Sequence, residues 1–280
     1  MKIAYLILAH AHPEQLGRLV RQLDDGQARF FIHVDAKTDH TTFAAMQAAA
    51  PQAVWAARQR CRWGGFSLVA ASLQLIELAL ADDCDWLILL SAQDYPLKSN
   101  AHIAATLSQS PFVAHLDVQA DFDVRYRWQS WYPERLSGTF MGKMLQKIQR
   151  QAARWGWHRP LPPGLNAIHA GSQWWMLSRP AARAMLTWQE QHPHISAFFK
   201  TTLVPDEMFF QTVLGHCFPP ERLGSALRLI EWEAGSWSPR QFTAADAPRL
   251  YASTALFARK FAPDGQATAA LDALIDQGKH

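Results

Sequence analysis

The fold is decided by an uninterrupted run of five apolar residues, Trp86-Leu87-Ile88-Leu89-Leu90. This run predicts a β-strand, and by composition it is the most buried strand of the chain. The preceding residues 65–80 carry apolar side chains at helical spacing and predict an α-helix. A helix that leads into a buried strand is the repeating unit of a parallel sheet with helices on its faces.

Outward from this unit, the same alternation covers the first half of the chain. It predicts strands at 3–9, 30–34, 53–56 and 112–116, and helices at 14–23, 44–50 and 101–107. After residue 163, a strand at 174–178 and a helix at 181–190 repeat the pattern. The predicted fold class is therefore α/β, with a Rossmann-like, mostly parallel sheet flanked by helices.

The composition narrows the class of protein. Of the 280 residues, 49% are hydrophobic and 18% are charged, which fits a large folded domain and excludes wholesale disorder. The three cysteines lack C-x-x-C spacing, which argues against a thiolate metal site or a disulfide framework. A formal net charge of +3 does not indicate a nucleic-acid partner. Because no signal peptide or membrane span is recognisable, we expect a cytoplasmic protein. Peripheral attachment to the inner membrane is compatible with this expectation.

Parallel sheets bind ligands at the carboxyl ends of their strands, so the residues that follow the strands are candidates for a site. These residues are His10, Asp35 and the run Gln93-Asp94-Tyr95. Neither G-x-G-x-x-G nor G-x-x-x-x-G-K-[ST] occurs, so neither a dinucleotide nor a P-loop fingerprint applies. Twelve tryptophans fit a sugar-binding site, because indoles pack on the C–H faces of pyranose rings, although most single tryptophans belong to cores.

Seven segments, spread over nearly the whole chain, resemble the core-2/I-branching family of glycosyltransferases. They look closest to its peptide O-xylosyltransferase branch. The segments are Leu8-Ala9-His10, Phe31-Ile32-His33-Val34-Asp35, Trp63-Gly64-Gly65-Phe66-Ser67-Leu68, Leu90-Ser91-Ala92-Gln93-Asp94-Tyr95-Pro96-Leu97, Gly171-Ser172-Gln173-Trp174, Pro205-Asp206-Glu207-Met208-Phe209-Phe210 and Phe257-Ala258-Arg259-Lys260-Phe261.

The resemblance implies a GT-A fold, a UDP-sugar donor, inversion at the anomeric carbon, and no divalent metal or other cofactor. It implies one GT-A domain over residues 1–280, with a nucleotide-binding half at 1–118 and an acceptor-binding and catalytic half at 119–280. The expected sugar is xylose or N-acetylglucosamine, and the expected acceptor is a glycan, a lipid-linked glycan or a protein hydroxyl. The alternative is a catalytically inactive protein of this fold that binds glycans or nucleotide sugars.

Glu207 is the predicted general base, because an inverting transfer needs a carboxylate that takes the proton from the acceptor hydroxyl. It follows Pro205-Asp206 and precedes an apolar helical run at 208–213, which places it near a helix N-terminus. The helix dipole also favours a carboxylate there, and this interpretation fits Asp206 better, as a cap or as a group that orients Glu207. A glycoside hydrolase would need two carboxylates that flank one bond, and only Glu207 is well placed.

The diphosphate leaving group needs positive charge beside it. Most GT-A enzymes supply a metal held by Asp-x-Asp, and two such strings occur, Asp83-Cys84-Asp85 and Asp121-Phe122-Asp123. Neither follows the fourth strand, so we expect both to be surface or turn acids and no metal to be bound. Arg259 and Lys260, bracketed by two phenylalanines, are the predicted substitute, as the resemblance also implies.

The remaining donor-side predictions concern strand ends and one loop. Asp35 is expected to accept hydrogen bonds from the uridine or its ribose, and His10 to line the same pocket. Trp63 and Gly64 are expected to form a wall of the donor-sugar pocket. Asp94 is expected either to contact the donor sugar or to orient a basic residue.

Two arginines compete for a second role at the donor phosphates. Arg240 falls near a second phosphate-binding arginine of the branching enzymes, but loop lengths differ there, and Arg228 is its competitor. On the acceptor side, the candidates are Trp232 and Arg127.

The middle of the chain, at 125–160, is basic, with eight Arg or Lys residues and Glu134 as the only acid. A predicted amphipathic helix near 142–157 carries apolar residues on one face and four cations on another: Lys143, Lys147, Arg150 and Arg154. Two interpretations stay open. The helix either packs on the protein with a solvated basic edge, or it attaches the protein to an anionic membrane.

Overall fold

The computed structural model describes residues 1–119, 123–233, 235–236 and 238–278. In the first half, strands and helices alternate as predicted. The elements are β1 (Ile3–Ala9), α1 (Pro13–Leu23), β2 (Arg29–Val34), α2 (His40–Ala49), β3 (Val54–Trp55), α3 (Ser67–Leu80), β4 (Trp86–Ser91), β5 (Asp94–Pro96), α4 (Asn100–Ser108) and β6 (Ala114–His115).

The second half is richer in helix. Its elements are α5 (Arg125–Trp128), α6 (Phe140–Arg154), β7 (Met176–Ser178), α7 (Arg179–Gln191), α8 (Pro193–Phe199), α9 (Phe209–Cys217), β8 (Leu223–Gly224), β9 (Arg228–Ile230), α10 (Ala247–Ala252), β10 (Phe257–Arg259) and α11 (Gln266–Gln277). Short 3₁₀ helices occur at Glu134–Leu136, Pro205–Glu207, Pro220–Arg222 and Ala244–Asp246.

Seven strands form the main sheet, in the order β3-β2-β1-β4-β7-β6-β8. The first four run parallel, with Ile7 opposite both Ile32 and Leu90. β7 runs antiparallel to both its neighbours, and β6 and β8 are parallel to each other. The predicted α/β class, with a mostly parallel sheet flanked by helices, is confirmed. Strands from both predicted halves, 1–118 and 119–280, belong to this one sheet.

Each face of the sheet carries its own hydrophobic core. In β4, Ile88 and Leu90 point into one core and Leu87 and Leu89 into the other, because successive side chains alternate across a strand. All four are fully buried, which stabilises the fold by about 1.5–3 kcal/mol for each side chain. The two-sided burial explains why this strand is apolar at every position.

Helix α2 begins four residues earlier than the predicted start at 44. The Asp39 side chain accepts a hydrogen bond from the Thr42 backbone N–H at 2.8 Å and so caps the helix. The apolar periodicity of this segment starts later than the capping residue, and for that reason the prediction was short.

A second sheet of three strands has the order β5-β10-β9. β10 is antiparallel to β5, and their register sets Arg259 directly opposite Asp94. This small sheet places a basic residue at the carboxyl end of β4, which is where the main sheet is expected to bind ligands.

The two Asp-x-Asp strings differ in what the structure describes. Asp83 precedes β4 and lies 3.8 Å from Lys2, with a side chain that is 89% exposed. Asp121 and Phe122 lie outside the described residues, while Asp123 pairs with Arg125 at 2.8 Å.

Within the described ranges, no helix has both the length and the hydrophobicity that crossing a bilayer requires.

Candidate active site

A cleft of about 530 Å³ opens at the carboxyl ends of β1, β2 and β4. We call it the central cleft. The residues that line it include His10, Asp35, Lys37, Cys61, Trp63, Ser91, Gln93, Gln173, Trp174 and Arg259. Its position follows from topology, because the ends of neighbouring parallel strands meet at one edge of a sheet.

Asp35 is fixed at one end of the central cleft. Its carboxylate accepts from the backbone N–H groups of Lys37 at 2.9 Å and Cys61 at 3.4 Å, and it lies 3.1 Å from the Lys37 ammonium. His10 lines the same region, and burial lowers the pKa of its imidazole, an effect that the charge of Asp35 opposes. This end of the cleft therefore presents a fixed carboxylate, an ammonium and an imidazole to a ligand.

Asp94 lies beneath the cleft and organises two arginines. Its side chain is fully buried and accepts from the Ser91 backbone N–H at 2.9 Å, from Arg228 at 2.7 Å and from Arg259 at 3.1 Å. Arg259 also donates to the Ser91 hydroxyl, and its guanidinium carbon lies 4.9 Å from the centre of the Trp174 ring. Of the two roles predicted for Asp94, this geometry fits the orientation of a basic residue and leaves no exposed surface for direct sugar contact.

The two competing arginines occupy different environments. Arg228 is buried behind Arg259, and its side chain is 2% exposed. Burial lowers the pKa of Arg228, and the charge of Asp94 opposes that shift. Arg240 instead pairs with Asp246 at 3.1 Å and with Glu231 at 3.3 Å, and it is absent from the described lining of the central cleft.

Lys260 follows Arg259 and is absent from the described lining of the central cleft, although its charge acts on His10, which lines that cleft, and adds to burial in lowering the pKa of that imidazole. The Lys260 ammonium lies 3.4 Å from the Ser238 hydroxyl, and the backbone carbonyl of Lys260 accepts from the Phe242 N–H at 2.9 Å. Burial and the neighbouring charge of Arg259 lower the pKa of Lys260. The expected aromatic bracket is present, because Phe257 and Phe261 are both fully buried.

Glu207 ends the 3₁₀ helix Pro205–Glu207, immediately before α9. Its side chain is 37% exposed and accepts a hydrogen bond from Arg127 at 2.6 Å. Arg127, predicted to contact the acceptor, therefore also holds the carboxylate of the predicted base. Trp232, the other predicted acceptor contact, is 59% exposed and is absent from the described lining of the central cleft.

Asp206 is buried directly beside Glu207. Burial, reinforced by the charge of Glu207, raises the pKa of Asp206 to about 7. Its Oδ1 atom has no hydrogen-bond partner among the described residues. The loop thus holds two adjacent carboxyl groups in opposite environments, one partly exposed and paired with an arginine, the other enclosed.

A family model described as Core-2/I-Branching enzyme matches residues 3–251. The chain belongs to the Core-2/I-branching enzyme family. This match confirms the family expected from the sequence. Members of the family are glycosyltransferases.

The chain is similar to several xylosyltransferases. Human xylosyltransferase 2 is 27% identical over 286 residues, which cover 93% of this chain and 32% of that protein. Xylosyltransferase oxt of Drosophila melanogaster is 28% identical over 296 residues, covering 94% of this chain and 32% of the relative. Xylosyltransferase 1 of the dog is 27% identical over 288 residues, with coverage of 93% and 29%. The chain spans about a third of the length of these relatives.

The likeness to solved structures is more distant. A structure named as a glucose-1-phosphate thymidylyltransferase of Bacillus anthracis covers 80% of this chain and 85% of its own, with 10% identity and a TM-score of 0.37. The assignment to the Core-2/I-branching family therefore rests on sequence.

Three of the segments that resemble the Core-2/I-branching enzymes meet around Glu207 through backbone hydrogen bonds. The Val204 N–H donates to the Gly64 carbonyl, and the Gly171 N–H donates to the Glu207 carbonyl, both at 2.9 Å. A Cβ atom at Gly171 would lie 1.9 Å from the Asp117 carbonyl oxygen, so only glycine fits. The loop with Trp63, which is 78% exposed beside the central cleft, is thereby fixed to the loop that carries Glu207.

Val204 has an unusual backbone for its residue type. Its φ angle is 51°, in the left-handed region that β-branched residues avoid. It immediately precedes Pro205–Glu207 and therefore sets the direction in which the chain enters this 3₁₀ helix.

The sequence reasoning missed Lys37 and the partnership of Arg228 with Asp94. Lys37 had a local signal, because it follows the strand-end acid Asp35 by two residues. The pairing of Arg228 with Asp94 spans 134 positions and has no local signal.

Among the described residues, no group of three or more His, Cys, Asp or Glu side chains is arranged to hold a metal ion.

Proposed function

We propose that this chain is an inverting, metal-independent glycosyltransferase. It transfers xylose or N-acetylglucosamine from a UDP-sugar to a hydroxyl of a glycan or protein. Glu207 acts as the general base, and Arg259 and Lys260 stabilise the UDP leaving group. The observation that carries this proposal is the Glu207 carboxylate, which is partly exposed and held at 2.6 Å by Arg127.

The geometry of Glu207 suits proton removal. The acceptor hydroxyl oxygen attacks the anomeric carbon, the bond from that carbon to the diphosphate breaks, and Glu207 takes the hydroxyl proton. The Arg127 guanidinium fixes one carboxylate oxygen and leaves the partly exposed group able to receive a proton on the other. A positioned base of this kind contributes about 10²–10⁴-fold in rate.

The leaving group gains negative charge as the bond breaks, and Arg259 is the cation that lines the central cleft from β10. Asp94 and Ser91 hold its guanidinium before any ligand arrives, so little reorganisation is needed during the reaction. Lys260, the next residue, is proposed to add a second charge at the diphosphate.

The nucleotide is proposed to bind at the end of the cleft that holds Asp35, Lys37 and His10. The Asp35 carboxylate suits the ribose hydroxyls or the uracil N–H, and Lys37 adds a cation on the phosphate side. Trp63 and Trp174 both line the cleft and offer aromatic surface to the sugar ring.

The decisive experiment measures UDP release from UDP-xylose and UDP-N-acetylglucosamine, without acceptor and with candidate acceptors. The Glu207→Gln variant should bind UDP normally and lose turnover by about 10²–10⁴-fold. The matched control is Glu190→Gln, a change at an exposed glutamate on α7, which should behave as wild type.

Near-normal turnover of Glu207→Gln would remove this residue from the role of base. Tight UDP binding by wild-type protein, with no turnover of any UDP-sugar, would instead favour a nucleotide-sugar-binding protein of the same fold.

A further inference from the structure

Helix α6 is attached to the protein along one narrow side. Of its fifteen residues, only Gly142 and Gln149 are buried. A Cβ atom at Gly142 would lie 2.1 Å from the Leu136 carbonyl oxygen, so the helix backbone approaches the preceding loop closely there. The Gln149 amide bonds the backbone of Trp131, with its nitrogen donating to the carbonyl at 3.0 Å. Leu145, Ala152 and Ala153 are partly buried, and the other ten residues of the helix are exposed.

Large apolar side chains occupy part of the exposed side. Phe140, Met144 and Ile148 follow each other at four-residue spacing and are 76%, 52% and 61% exposed. Met141 and Trp155 extend the same stripe and are 67% and 80% exposed. This arrangement corrects the interpretation in which the apolar face packs on the protein. A contiguous exposed apolar stripe on a folded domain indicates an interaction surface.

Cations run along the stripe on the same exposed side. Lys143, Lys147, Arg150 and Arg154 are spaced by three or four residues, and all four are exposed. No acid occurs between residues 135 and 163. Glu134, which precedes this stretch, accepts from the Ser67 hydroxyl at 2.5 Å and from the Ser67 N–H at 3.1 Å, so its carboxylate is hydrogen-bonded to the first residue of α3.

We propose that this stripe and its row of cations, together the α6 surface, dock the protein on an anionic lipid bilayer. The helix lies in the plane of the interface, with its apolar side chains at the boundary of headgroups and acyl chains. The four cations contact acidic headgroups. Trp155 at the end of the helix suits this depth, because an indole has both an apolar body and a polar N–H.

The charge pattern favours a membrane over a second copy of the chain. A symmetric dimer would place the α6 surface against itself, so four cations of one protomer would face four of the other. An anionic bilayer neutralises the same charges and also accepts the apolar stripe.

The inner side of helix α6 lies beside the candidate active site. Gly142, Leu145 and Gln146, on the inner side of the helix, line a cavity of about 100 Å³ together with Trp63 and Gly64. A bilayer bound at α6 would therefore lie close to the loop that borders the central cleft.

Co-sedimentation with lipid vesicles tests the proposal. Wild-type protein should bind vesicles that contain phosphatidylglycerol, should bind pure phosphatidylcholine vesicles much more weakly, and should dissociate as salt rises. The double variant Lys143→Ala/Lys147→Ala should bind anionic vesicles about 10- to 30-fold more weakly. Met144→Ser/Ile148→Ser should weaken binding as well. The matched control, Arg183→Ala/Arg222→Ala, removes two exposed arginines from other elements and should bind as wild type.

Because every changed side chain in these variants is exposed, the variants should fold, which circular dichroism checks. Equal binding to neutral and anionic vesicles, no binding to either, or unchanged binding of both α6 variants would overturn the proposal. Sedimentation equilibrium adds a further refuting outcome. If wild-type protein is a dimer that Met144→Ser/Ile148→Ser dissociates, a second copy covers this surface and the membrane does not.

Discussion

The buried carboxyl of Asp206 gives the loop that carries Glu207 a measurable pH signature. In the folded chain, burial and the charge of Glu207 raise the Asp206 pKa from 3.8 to about 7. In the unfolded chain, the same carboxyl ionises near its ordinary pKa of about 3.9. The unfolded state therefore loses this proton at a lower pH than the folded state does. The free energy of unfolding consequently falls as pH rises from about 4 to about 7.

Asp206→Asn removes this titration while it keeps the shape of the side chain. Each pH unit between the two pKa values corresponds to about 1.4 kcal/mol. From pH 5 to pH 7, wild-type protein should lose about 2 to 3 kcal/mol of unfolding free energy through this group, and a smaller loss of under about 0.5 kcal/mol should follow between pH 7 and pH 8. The variant has no such loss. Its stability relative to wild type should therefore be higher at pH 8 than at pH 5 by about 2 to 3 kcal/mol.

Urea unfolding followed by tryptophan fluorescence, at pH 5 and at pH 8, measures this difference. A constant offset between variant and wild type is expected, because the asparagine amide needs partners of its own, so only the change with pH is diagnostic. Asp83→Asn, at a side chain that is 89% exposed, is the control and should show no comparable change. The same stability difference at both pH values for Asp206→Asn would refute the reasoning.

Two further predictions concern the leaving group. Lys260→Ala should lower turnover by about 10- to 100-fold and weaken UDP binding less, because a charge-assisted contact contributes about 1.5–3 kcal/mol and strengthens as the diphosphate gains charge. Arg259→Lys should also impair turnover, since a lysine lacks the planar guanidinium that Asp94 and Ser91 hold. Calorimetric and kinetic assays of the two folded variants test both expectations. Unchanged UDP affinity and unchanged turnover would contradict them. Activity should persist in excess EDTA, and a loss that manganese restores would show that a metal is required.

The main sheet could be predicted because β1, β2 and β4 are continuous apolar runs between turn residues. The antiparallel direction of β7 could not, since an apolar run carries no information about the direction in which a strand is paired. The second sheet was missed because β5, β9 and β10 have three residues each, too few for a period-two pattern. That sheet is the element that sets Arg259 opposite Asp94.

Candidate residues at strand ends could be located for a topological reason. His10 and Asp35 line the cleft because parallel strands end at one edge. The choice between Arg228 and Arg240 depended on tertiary packing, which separates two arginines that look alike in sequence. For α6, periodicity identified an apolar face and a basic face. It could not show which side contacts the protein, because the two buried residues of the helix are Gly142 and Gln149, while most of its large apolar residues are exposed.

The left-handed backbone of Val204 combines a cost in folding stability with a restriction of the chain just before the proposed base. A β-branched residue held there costs on the order of 1–2 kcal/mol, and glycine would avoid that cost. Glycine has more accessible backbone conformations than valine, so it would restrain the chain less where it enters Pro205–Glu207. The position of the proposed base would then be less well defined. The Val204 side chain is buried and contributes about 1.5–3 kcal/mol of its own, so glycine brings no net gain in heat resistance. Selection for catalysis would keep the valine, because the rigid entry helps to aim the carboxylate.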